Sequence, residues 1–344
     1  MPAEKMHADE VDTDAALVRR LLAAQFPEWA DLPIERVRSA GTDNTIYRLG
    51  QDMAVRLPRQ QWNGAQLEKE CRWLPRLAPL LPLAIPVPLA VGEPADDYPF
   101  AWSIYPWLEG ETATVERIGD PSQLATDLTR FVAALQRVDP TDGPPPGQHN
   151  SFRGVPLATR DERTRSAIAA LGGAIDSGAV TAAWETALRA PEWERPPVWI
   201  HGDLDARNML VEEGRLTAVI DFGCLGVGDP ACDVMVAWKV LSAETRDSFR
   251  TALSVDEATW ARGRGWAPLP GADRAALLHD ENEPRARPGS STMVGRGTRG
   301  SRIGAPLTAT RKRCYEGVGR PSMACSARLI SSSSRATSSS LPAK

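Results

Sequence analysis

The segment His201-Gly202-Asp203-Leu204-Asp205-Ala206-Arg207-Asn208, followed after Met209–Ile220 by Asp221-Phe222-Gly223, decides how this 344-residue chain is read. Met209 to Ile220 has the pattern strand, Glu-Glu-Gly turn, strand. Such a hairpin returns the chain to the sheet edge it left, so Asn208 and Asp221 can share a metal ion. Hard oxygen donors suit magnesium, and these two side chains supply them. Asp203 is the candidate carboxylate for orienting an attacking hydroxyl and accepting its proton. Phosphoryl transfer asks for little more covalent chemistry than that from a protein. His201 is expected to brace the loop rather than to titrate in catalysis. Each piece alone is a weak signal. Together, in this order and with a hairpin between them, they are specific.

Outward from this segment, Val198-Trp199-Ile200 leads into the loop and Val234–Leu241 reads as a helix behind it. Upstream, Asp120–Val138 is amphipathic. Leu124, Leu128, Phe131, Val132 and Leu135 share one face, and Asp120-Pro121 makes a good helix start. Further helices are expected near 158–171 and 178–189. The N-terminal part differs in kind. A helix over Val11–Phe26 stops at Pro27, and three short extended segments follow: Glu35–Ser39, Thr45–Leu49 and Met53–Leu57. Gly50-Gln51-Asp52 is a tight connection, and Gly41-Thr42-Asp43-Asn44 links the first two strands. Gln66–Leu77 reads as a helix carrying Glu68 and Glu70. Pro79–Pro88 is too rich in proline for one continuous helix. Phe100–Leu108 is an apolar run fit for a buried strand, with a hinge over 105–110.

The central segment resembles the catalytic motif of the aminoglycoside phosphotransferase (APH) family, which has a protein-kinase-like fold. The continuation Gly226-Val227-Gly228-Asp229-Pro230-Ala231-Cys232-Asp233, with Ala237-Trp238 after it, resembles the same family. The resemblance covers about residues 30–267. It implies an α+β, two-lobed fold, with a small antiparallel-sheet nucleotide-binding lobe over 1–107 and a mostly helical catalytic lobe over 108–267. It implies an ATP- and Mg2+-dependent enzyme that phosphorylates a small-molecule hydroxyl, with Asp203 as general base and Asn208 and Asp221 on the metal. It implies that Asp233 tethers the catalytic loop, whereas Asp229 reads as a turn residue.

In the N-terminal lobe, Gly41 and Asn44 sit where a phosphate-covering loop belongs. Arg56 stands where kinases carry a lysine for the α- and β-phosphates. Arginine binds phosphate bidentately without being equivalent to lysine. Glu70 is its expected partner, because Glu68 would face elsewhere on a helix. Adenine would meet the backbone near Tyr105 and Trp107, since Pro106 has no N–H to donate.

Composition sets the outer bounds. The chain is 42% hydrophobic and 24% charged with a net charge of −4, which implies no nucleic-acid partner. No apolar run approaches a membrane span, and five cysteines without a Cys-x-x-Cys pair suit a reducing cytoplasm. Glu281–Lys344 carries 12 Lys+Arg against 3 Asp+Glu, leaving an acidic body of 28 against 41 that suits a cationic acceptor. Beyond Trp266 periodicity vanishes into Arg, Gly, Pro and Ser, so 268–344 is expected to be a disordered basic tail. A reading-frame shift in GC-rich DNA produces the same composition, and the coding DNA distinguishes the two. Arg56 and this break motivate the alternative of a catalytically impaired, nucleotide-binding relative. Nothing in the sequence fixes oligomeric state or acceptor.

Overall fold

In the computed structural model, which describes residues 11–37, 44–59 and 64–267, the N-terminal half is built on one sheet. Its strands are β1 (Ile34–Arg36), β2 (Asn44–Leu49), β3 (Met53–Pro58), β4 (Ala90–Gly92) and β5 (Trp102–Pro106), in the order β1-β2-β3-β5-β4, antiparallel throughout. The β2–β3 hairpin turns at Gly50, whose φ of +62° is readily available only to glycine. The three expected strands form, with the first beginning at Ile34 and ending by Arg36.

Strand alternation puts Tyr47, Leu49, Val55 and Leu57 on one face. Helix α1 (Ala15–Gln25) covers that face with Leu17, Val18, Leu21 and Leu22, and its N-terminus is capped by Asp14, which accepts the Leu17 N–H at 2.7 Å. Trp102 and Ile104 of β5 complete this core. Burying side chains of this size is worth about 1.5–3 kcal/mol each. That gain holds a three-turn helix that would be marginal alone.

Helix α2 (Gly64–Leu77) turns its last part away from this core. Trp73, Leu74 and Leu77 pack into a second, larger core, where Trp73 meets Trp199 edge-on at 4.7 Å between ring centres. The apolar face of α3 (Pro121–Arg137), with Phe131 and Val132 fully buried, forms the floor of that core. Asp120 caps α3 as its sequence foretells.

Two small sheets carry the central segment. The first joins β6 (Glu111–Thr112), β8 (Met209–Glu212) and β9 (Arg215–Val219). The second pairs β7 (Val198–Ile200) with β10 (Gly226–Gly228). Around them lie α4 (Asp161–Leu171), α5 (Ser177–Arg189), α6 (Ala231–Val234), α7 (Val236–Lys239), α8 (Ala243–Ala252) and α9 (Glu257–Trp266). The single helix expected over Val234–Leu241 is interrupted at Met235, between α6 and α7. The two-lobed α+β fold expected from the sequence is present. Gly41 and residues 268–344 lie outside the described residues.

Candidate active site

The antiparallel β7–β10 pair brings the start of the loop at His201 beside the chain that leaves Asp221, with Gly226 opposite Ile200. The β8–β9 hairpin does the rest. Met209 pairs with Val219, and the Ile220 N–H donates to the Asn208 carbonyl at 2.9 Å. Asn208 and Asp221 are therefore held at neighbouring ends of one ladder.

Asp203 and Asn208 are both buried. The Asn208 amide nitrogen donates to the Asp203 carbonyl at 2.9 Å and to its Oδ2 at 3.2 Å. Both neighbours are acceptors, so the amide can face them only with Nδ2, which leaves Oδ1 for a ligand. Asp221 sits at φ 64°, ψ 69°, in the left-handed region, and its Oδ1 accepts the Gly223 N–H at 3.4 Å. A non-glycine residue there costs about 1 kcal/mol or more and clusters at functional sites. The pair offers two hard oxygens, a donor set that fits magnesium.

The loop is braced from three sides. The Asp203 N–H donates to His201 Nδ1 at 3.2 Å, so that nitrogen carries a lone pair and Nε2 carries the hydrogen given to the Ile220 carbonyl at 3.1 Å. Asp233, fully buried on α6, accepts the N–H groups of His201 and Gly202 at 2.7 and 2.8 Å. Burial pushes the Asp233 carboxyl above its ordinary value, against the lowering effect of His201 and the two N–H donors. Gly202 has φ +81°, and a Cβ there would meet the Cys224 carbonyl at 2.6 Å. Glycine alone fits this close approach to the Cys224 backbone.

In the sheet lobe, Arg56 Nη1 lies 3.1 Å from both carboxylate oxygens of Glu70, which is 1% exposed. Burial would lower the arginine pKa. The charges of Glu70, Tyr105 and Asp221 outweigh that and push it up. The Tyr105 side chain turns inward: its hydroxyl donates to Glu70 Oε2, and the group is held well above its ordinary value, chiefly by burial. The Trp107 N–H donates to the Asp52 carbonyl at 2.7 Å, so it is already paired. Asn44, Arg56, Glu70 and Tyr105 line one small pocket together with the apolar Pro58 and Leu67. The buried Asn44 Oδ1 there has no hydrogen-bond partner among the described residues.

The phosphotransferase enzyme family (APH) matches residues 34–266. The chain belongs to this family. Among solved structures, it is similar to the GDP complex of wild-type aminoglycoside 2'-phosphotransferase-IIIa, with 19% identity and a TM-score of 0.59 over 74% of this chain and 88% of that one. The GDP and kanamycin complex of APH(2")-IIia gives 21% identity and 0.57, over 72% and 86%. A macrolide 2'-phosphotransferase type I gives 21% and 0.55, over 75% and 89%. At such identities the likeness is one of fold. No match is found among curated proteins.

Three residues of this phosphotransferase-family site escape sequence reasoning. Lys69, on α2 beside Glu70, donates to the carbonyls of Gly223 at 2.7 Å and His149 at 3.1 Å. Lys239, at the end of α7, lies 2.9 Å from Asp205 Oδ2 and 3.5 Å from Asp203 Oδ1. Arg262 of α9 clasps Asp229 through Nε at 2.7 Å and Nη2 at 3.1 Å. Asp229 also accepts the Ala231 N–H at 2.9 Å, so it makes the expected turn and a buried ion pair besides. No sequence motif flags these partners, because each lies tens of residues from the group it touches. Among the described residues no helix is long and apolar enough to cross a membrane.

Proposed function

We propose that this protein transfers the γ-phosphoryl group of ATP to a hydroxyl of a small molecule, an aminoglycoside-type antibiotic or a metabolite. The nucleotide would lie between a lobe over 1–107 and a catalytic lobe over 108–267. The observation that carries the reading is the Asp203–Asn208 pair, locked to each other beside Asp221. In the reaction an acceptor oxygen attacks the γ-phosphorus. The new O–P bond forms as the bond from that phosphorus to the β,γ-bridging oxygen breaks. The hydroxyl proton goes to Asp203, and the nucleoside diphosphate leaves with the bonding pair. Asn208 Oδ1 and Asp221 would hold magnesium, which neutralises phosphate charge when bound.

Arg56, aligned by Glu70, is the residue for the α- and β-phosphates, and Asn44 lines the same pocket. Gly41 belongs to the same role by position in the sequence. The paired Trp107 N–H leaves adenine the carbonyl oxygens of the hinge and the N–H groups beyond it. Two similar structures hold GDP, so GTP belongs in every assay beside ATP.

The test is nucleotide turnover by the full chain with ATP or GTP, Mg2+ and a panel of aminoglycosides, macrolides and hydroxyl metabolites. Asp203→Asn should abolish product while magnesium–nucleotide still raises the melting temperature. Asp221→Ala should lose that stabilisation. Unchanged turnover in Asp203→Asn would remove the assignment. Nucleotide binding with no turnover against the whole panel would favour the impaired relative.

A further inference from the structure

The Lys239 side chain at the end of α7 is only 9% exposed, and a lone ammonium in such a place is expensive. Its ion-pair partners explain it. Nζ lies 2.9 Å from Asp205 Oδ2 and 3.5 Å from Asp203 Oδ1. The two carboxylates belong to the same short loop, and both are buried or nearly so, at 15% and 7% side-chain exposure.

Asp203 is consequently gripped at both oxygens. Asn208 Nδ2 donates to Oδ2 at 3.2 Å, and Lys239 faces Oδ1. Asn208 comes from the loop itself and would move with it. Lys239 comes from a helix packed in the main core, beside the buried Val236 and Ala237. It is therefore the outside reference that fixes where the carboxylate points. Asp205 anchors the lysine in turn. Asp205 is also held by Arg207, through Nε at 3.1 Å and Nη2 at 3.2 Å. Burial opposes its ionisation, yet Arg207 and Lys239 outweigh that and hold its carboxyl well below the usual range. Loss of a lysine that was merely neutralising the surface would leave Asp203 where it is. Loss of this one removes the ammonium that faces Oδ1 from α7.

We propose that Lys239 is the positioning residue for the proton-accepting carboxylate of Asp203, held in place by Asp205. This rests on the assignment of Asp203 made above. The lysine acts through Asp203, so its removal affects the transfer step and leaves nucleotide binding to Arg56, Asn208 and Asp221.

The experiment compares Lys239→Met, Lys239→Arg and Asp205→Asn, each alone, with the full-length protein. Misplacing a catalytic group by about 1 Å costs about a hundredfold. Lys239→Met should accordingly lower kcat by about 10- to 100-fold, with KM for ATP within about twofold. Lys239→Arg should restore part of the rate, because it keeps the cation. A crystal structure of Lys239→Met should show the Asp203 carboxylate turned from its place, a readout independent of turnover. Full activity in Lys239→Met with an unmoved Asp203 would overturn the inference while leaving the catalytic assignment intact. An active Asp203→Asn variant would instead remove the assignment, and the inference with it. If Lys239→Met is too unstable to assay, Asp205→Asn carries the test, with the same kcat loss expected and an unchanged kcat refuting it.

Discussion

The Asp233 carboxylate accepts the backbone N–H of Gly202 across 31 residues of sequence, at 2.8 Å, and binds the N–H of His201 with its other oxygen. One side chain thus satisfies two buried donors of the loop that carries Asp203. A helix at the back of the lobe is coupled by this to the geometry at the front.

Asp233→Ala should therefore destabilise the fold as well as the site. Each buried donor left unpaired costs about 1–3 kcal/mol. A domain with about 5–15 kcal/mol to lose tolerates that badly. Asp233→Asn keeps one acceptor oxygen and should fall between the alanine variant and the natural protein. Melting temperatures of the three proteins check the order, and an alanine variant as stable as the natural protein would refute it.

Arg262 and Asp229 predict a different pattern. Both are buried, and Arg262 also donates to the carbonyl of Pro191 and to Thr259 Oγ1. Removing one member of a buried pair strands the other charge and costs about 3–5 kcal/mol, whereas replacing both by apolar residues can be neutral. Arg262→Met alone should lower the denaturation midpoint sharply. Adding Asp229→Leu should recover much of the loss. If the double variant is no better than the single one, the pair is not the source of the cost.

The sequence carried the short-range parts of this molecule well. The β8–β9 hairpin, the capped α3 and the N-terminal strands follow from alternation, helical periodicity and turn residues that act on near neighbours. The Arg56–Glu70 pair was also legible, since a strand and the next helix leave few candidates. What was not legible depends on tertiary approach. The Tyr105 ring turns inward onto Glu70 through its strand register opposite Ala54, a contact between distant segments. Lys239 and Arg262 look like ordinary helix charges until α7 and α9 are packed against the loop. Asp221 gives no sign in the sequence of its left-handed backbone, because an Asp before Phe-Gly reads equally well as the end of a strand.

Lys69 supplies a prediction about pH. Burial drives its pKa down from 10.5 to about 8, against the opposing charges of Cys224, Glu70 and Asp221. Its folded-state value is thus below that of the unfolded chain. Between about pH 8 and 10.5 the unfolded chain holds a proton that the folded one has released, so stability from this group rises with pH through that window. It is lost again as pH falls through about 8. The full gap corresponds to about 3 kcal/mol. The natural protein should therefore gain stability relative to Lys69→Met as pH is raised from 7.5 to about 10, by an amount approaching that figure. Urea denaturation of both proteins at several pH values measures it. A difference that stays flat across the window would mean that the ammonium remains charged against the Gly223 and His149 carbonyls, and that these two bonds outweigh the cost of burial.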